Sequence, residues 1–169
     1  MTSDEFDECV KLLCDNGIKV VAFDMDLTAV TDHSLGQLKR EDVDFYLSKV
    51  SKDFVSLVCE LYEKGFNLAI ATHSDEAEFG ETIKKKTHIL GKELATVLLK
   101  KYFSVEIFLA FHIIAYNPKV REKGDLPENK FKRYHMREIQ NYFNVASKEI
   151  VFFDDCEPII KDCQETCGV

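Results

Sequence analysis

The chain holds 169 residues with a formal net charge of −8, and 46% of them are hydrophobic and 31% charged. A sequence of this size and balance is long enough to bury one sizeable core, lacks the composition of a disordered chain, and disfavours nonspecific binding to nucleic acid or an anionic membrane surface. No apolar stretch approaches the roughly 18 residues that a transmembrane helix needs; Phe103 to Tyr116 comes nearest and is interrupted by Glu106 and His112.

Residues 4–15 read as an amphipathic helix, with Phe6, Cys9, Val10 and Leu13 on one face and Asn16-Gly17 as its stop. A first strand is expected over 18–24. Residues 29–40 show no period and read as a flap or loop. From Asp42 to Lys64 the positions Phe45, Leu47, Val50, Phe54, Val55, Leu57, Val58, Leu61 and Tyr62 predict one or two helices, with Gly65 where a C-cap belongs. A second strand is expected over 66–71. The acidic turn at Asp75 suits the start of a helix running to about Lys86. A further helix is expected over 92–102, a β-rich run over 107–116, and a loop over 117–129, where Pro118, Gly124 and Pro127 fall. Residues 130–143 predict a helix with Phe131, His135, Ile139, Tyr142 and Phe143 on one stripe. A strand over 149–154 follows, and Pro158 suits the first turn of a last helix. No linker or repeat divides the chain, so 1–169 reads as one domain with its core from about residue 18. Strands and helices alternating at these lengths argue a doubly wound α/β fold with a mainly parallel sheet.

Chemistry concentrates at three strand ends. The run Ile18 to Phe23 has no polar alternation, as in a strand buried on both faces, and empties into Asp24-Met25-Asp26-Leu27-Thr28. Phe66 to Ala71 ends in Thr72-His73-Ser74, and Glu149 to Phe153 ends in Asp154-Asp155. Each pattern has a plainer counterpart, since Asp is common in turns and an acidic pair also makes a helix N-cap. With the strands side by side, however, Asp24, Asp26, Asp154 and Asp155 would meet beyond the carboxyl ends of the sheet, where such folds bind ligands. Crowded carboxylates need a cation or a proton, and an all-oxygen set selects a hard ion, of which Mg2+ fits best.

A D-x-D-x-T sequence after a strand, a strand ending in Thr, a lysine, and a strand ending in Asp-Asp together resemble the haloacid dehalogenase (HAD) superfamily of phosphotransferases over nearly the whole chain. Lys132-Arg133-Tyr134-His135 followed by Phe153-Asp154-Asp155 is most similar to its eukaryotic magnesium-dependent phosphatase subgroup, although that subgroup carries Asn where this chain has Ile159. The resemblance implies a HAD-like three-layer αβα sandwich with little or no cap, and a phosphatase acting on a phosphomonoester through an aspartyl phosphate. Asp24 would be the nucleophile and a metal ligand. Asp26 would carry the proton and lend its backbone carbonyl to the metal. Thr72 and His73 would contact the phosphate, Lys132 would balance its charge, Asp155 would bind Mg2+ directly and Asp154 through water. Lys130 and Lys119 are rivals to Lys132. His135 reads as a satisfied, half-buried histidine of the helix stripe.

The six cysteines, with no basic secretory leader before them, read as reduced thiols of a cytoplasmic protein. The competing functions are a phosphotransferase or mutase of the same superfamily and a non-catalytic HAD-like partner-binding domain. Neither Thr28–Phe66 nor Ser74–Lys132 leaves room for a large cap. An open site of that kind suits a phosphorylated macromolecule such as a phosphoprotein, with neither nucleic acid nor membrane as a partner.

Overall fold

A computed structural model describes residues 3–36, 38–73, 84–115 and 131–169. Helix α1 (Ser3–Asp15) leads into β1 (Val20–Phe23). After the short β2 (Leu38–Lys39) come α2 (Val43–Leu47), α3 (Lys52–Glu63) and β3 (Asn67–Thr72). A helical turn α4 (Lys84–Thr87) precedes β4 (His88–Ile89), α5 (Gly91–Tyr102), α6 (Val105–Ala110) and β5 (Phe111–Ala115). The chain continues through α7 (Arg133–Phe143), β6 (Ile150–Phe153) and α8 (Glu157–Asp162).

The four long strands form a parallel sheet in the order β5-β3-β1-β6. Every residue of β1 is buried, and successive side chains enter opposite layers, as strand geometry requires. Val21 and Phe23 join Leu68, Ile70 and apolar residues of α1, α3 and α5. Val20 and Ala22 join Ala69, Ala71, Ile114, Ile150 and the α7 residues Met136 and Ile139. Helices therefore cover both faces of a mainly parallel α/β sheet, an arrangement compatible with three layers. In the larger layer Phe23 stacks on Phe153, with ring centroids 5.3 Å apart, and meets Phe54 edge-on at 5.2 Å.

Local signals set several boundaries. The Ser51 hydroxyl caps α3 by accepting from the Phe54 N–H. Gly65, at φ +82°, closes that helix as expected, with its N–H on Tyr62 O and the Phe66 N–H on Leu61 O.

Three expectations need correction. Residues 107–110 belong to α6, not to a strand, because Ser104 caps a helical turn there by accepting from the Ile107 N–H; only Phe111–Ala115 enters the sheet, starting from the pair Leu68↔Phe111. Within 42–64 one position of the apolar stripe differs: Phe45 is 64% exposed and Tyr46 is buried in its place, whereas Leu47, Phe54, Leu57, Val58 and Leu61 are buried as expected. The 29–40 segment is no loose flap throughout, since Ala29 and Val30 are core and Leu38–Lys39 pairs antiparallel with His88–Ile89. Most of the helix expected over 75–86 and all of the loop expected over 117–129 lie outside the described residues.

Candidate functional site

The order of the strands reverses at β1: the chain steps outward through β3 and β5, then returns to β6 on the other side of β1. Ligands of open α/β sheets bind beyond the strand ends at such a reversal. Asp24 directly follows β1 and Asp154 directly follows β6. The Asp24 N–H donates to Phe153 O at 2.8 Å, which fixes the two ends side by side.

Lys132 is the centre of the arrangement. It is 1% exposed, and its ammonium donates to Asp24 Oδ1 and to Ala71 O, each at 2.6 Å. It stands just before α7 at the N-cap position, after Phe131 in left-handed backbone at φ +50°. Lys130 and Lys119 lie outside the described residues. Burial holds the Asp24 carboxyl above the ordinary carboxylate range, with Lys132 and the Met25 N–H acting in the opposite direction.

Asp26 is held by a different set of groups. Its Oδ1 accepts from the Tyr46 hydroxyl at 2.5 Å, and its Oδ2 from the Ser34 hydroxyl at 2.8 Å and the Ser34 N–H at 3.0 Å. His33 Nδ1 lies 2.7 Å from that same Oδ2. Burial, and then the charge of Asp26, push the Tyr46 phenol far above its ordinary range, so it remains a donor. Leu27 and Leu35, directly after Asp26 and Ser34, both take positive φ, a conformation that costs a non-glycine residue about 1–3 kcal/mol.

The remaining sequence-predicted residues sit at the same sheet edge. Thr72 is buried at the end of β3. Its carbonyl accepts from His135 Nε2 at 2.9 Å, while its hydroxyl reaches only the His73 carbonyl, at 3.3 Å. His135 is fully buried and not half-buried; desolvation, and then Lys132 and His73, hold it neutral. His73 is exposed and stands edge-on to the His135 ring at 5.2 Å. Asp154 Oδ1 accepts from the Cys156 N–H at 2.9 Å. Desolvation raises the Asp154 carboxyl to about 6, with Asp24 and Asp155 adding to the shift. Asp155 is exposed.

Among the described residues, no three acid, histidine or cysteine side chains stand together as a metal cage. The Asp26 carboxyl is engaged by Tyr46, Ser34 and His33, while Asp24, Asp154 and Asp155 lie at the same sheet edge, near enough for their charges to act on one another. The chemistry of the donors still suits Mg2+, which normally takes one or two carboxylates and completes its shell with waters and substrate phosphate. Asp154 Oδ2 is buried with no hydrogen-bond partner among the described residues, as is Thr28 Oγ1. A buried acceptor without a donor fits a cation.

Sequence reasoning missed Tyr46, Ser34 and His33. A tyrosine within an apolar stretch is the one signal that pointed to them, because a buried phenol needs a partner for its hydroxyl. No protein-family model, curated protein or solved structure matches the chain.

Proposed function

We propose that the protein is a magnesium-dependent phosphatase of the HAD type that hydrolyses a phosphomonoester through an aspartyl phosphate on Asp24. The buried contact between Asp24 and Lys132, residues 108 positions apart that meet at the strand-order reversal, carries this reading. An ammonium there favours the ionised nucleophile and offsets its repulsion with an incoming phosphate. An Asp24 oxygen attacks phosphorus, the bond from phosphorus to the leaving oxygen breaks, and Asp26 gives that oxygen a proton. A water molecule then attacks the phosphoryl group, Asp26 takes its proton, and inorganic phosphate leaves with Asp24 restored. Asp24, Asp154, Asp155 and the Asp26 carbonyl are the groups that would hold Mg2+, which when bound would neutralise charge on the transferring phosphoryl group.

The favoured substrate class is phosphate on a macromolecule such as a phosphoprotein. Most of the described parts of 29–66 and 84–115 lies in α2, α3, α5, α6 and β5, which supports a reading with little room for a cap. Turnover of an aryl phosphate with added Mg2+, and labelling of Asp24 by the trapped phosphoryl group, test the reading together. Asp24→Asn should lower turnover by at least about 10³-fold and leave the chain folded. Labelling at a serine, histidine or cysteine would overturn the mechanism.

A further inference from the structure

The groups around Asp26 form a unit of their own, distinct from the Asp24–Lys132 pair. Tyr46 comes from α2, and Ser34 and His33 come from the preceding loop. The Thr31 N–H donates to Lys49 O and the Ser51 N–H to Ala29 O, so loop and helix are tied together. A carboxylate offers about four lone-pair sites. Three contacts crowd Oδ2, whereas Oδ1 has one among the described residues, from Tyr46. The oxygen with capacity to spare for a reacting proton is therefore the one that the Tyr46 hydroxyl orients.

We propose that Tyr46 is a positioning residue for proton transfer: together with Ser34 it clamps Asp26 so that Oδ1 faces the leaving-group oxygen. This rests on the phosphatase reading above and adds to it a role for residues outside the D-x-D-x-T run. A phenol that is 2% exposed and cannot shift without unpacking the core is suited to this task, since a small misplacement of a proton carrier is costly.

The test exploits the leaving group. Proton donation matters little for an activated aryl phosphate and greatly for an alkyl phosphate, and kcat/KM covers only the steps up to formation of the phosphoenzyme. With Tyr46→Phe, kcat/KM for p-nitrophenyl phosphate should stay within about 3-fold of wild type, while that for phenyl and alkyl phosphates falls about 30-fold or more. The dependence on leaving-group basicity thus steepens. An equal fall across the series, or none, overturns the inference, because a structural defect would not sort substrates by leaving group. If Tyr46→Phe fails to fold, Ser34→Ala carries the same test: it removes the hydroxyl from Oδ2 but keeps the backbone donor. A wild-type protein inactive on the whole series would instead overturn the phosphatase reading, and this inference with it.

Discussion

Removing the Lys132 ammonium tests the energetics of the site apart from its chemistry. Lys132→Met keeps the buried stem and deletes the charge that faces Asp24 Oδ1 and Ala71 O at 2.6 Å. Breaking a buried pair from one side typically costs about 3–5 kcal/mol, because the other charge stays behind without compensation. Here the Asp24 carboxyl already lies above its ordinary range, so it can take up a proton and recover part of that loss. The cost should therefore be near the upper end at pH 8 and smaller at pH 5. With a urea m-value of about 1–3 kcal/mol/M, a loss of this size moves the midpoint by about 1–5 M, well within reach of an unfolding titration. The double variant Asp24→Asn/Lys132→Met leaves neither charge and should recover most of the stability while remaining inactive. A loss under about 1 kcal/mol in the single variant, or a double variant no more stable than the single, would refute the reasoning. Lys132 would then be held by its stem and the Ala71 carbonyl, with Asp24 indifferent to its charge.

Other outcomes follow from the same geometry. Asp154 has its carboxyl raised to about 6 in the fold, so the folded state binds the extra proton between its unfolded value and 6; stability is greatest below that window and falls as pH rises through it. Asp154→Asn in EDTA should stabilise by about 1–2 kcal/mol at pH 7 once screening at this partly exposed group is allowed for, and by nothing near pH 3, as thermal unfolding would show. Phe54→Ala, which removes the edge-on contacts to Phe23 and Phe103, should cost about 3–5 kcal/mol by urea unfolding. The Arg40–Glu93 fork, at 2.9 Å but on the surface, should yield under about 1 kcal/mol in a double-mutant cycle.

The parts of the fold legible in the sequence are those where one local pattern decides the outcome. Val20-Val21-Ala22-Phe23 has no polar residue to place at a surface, so burial on both faces follows. Gly65 and Pro158 each mark a helix end by a backbone rule that needs no tertiary partner. The β-rich reading of 107–110 failed because Ile107, Phe108 and Leu109 suit either structure, and the decision came from the Ser104 cap and from where β3 offers a pairing register. The same limit applies at Phe45 and Tyr46, neighbours that both fit an apolar stripe. A five-residue helix is too short for its period to say which of them faces inward; the presence of Asp26, 20 residues earlier, selects the one with a hydroxyl.

The position of Asp24 was readable from its strand end and Lys132 was singled out only through the family resemblance, but the manner in which the lysine is held was not readable at all. Two consecutive carbonyls at the end of β3 are taken by the start of α7: Ala71 O by Lys132 and Thr72 O by His135. Each contact spans more than sixty residues of chain, so no local rule could reveal it. Their joint effect is to fix the first turn of α7 against the strand that supplies Thr72, leaving the ammonium little freedom to follow a moving carboxylate. Such rigidity has a cost, because a buried lysine and aspartate are less stabilising than well-packed apolar residues of the same volume. A chain selected for stability alone would close this sheet edge with methionine and leucine. A desolvated charge pair, an Asp154 oxygen without a partner among the described residues and left-handed backbone at Leu27 and Leu35 are each costly to the fold, and together they support the proposal that this edge receives something charged.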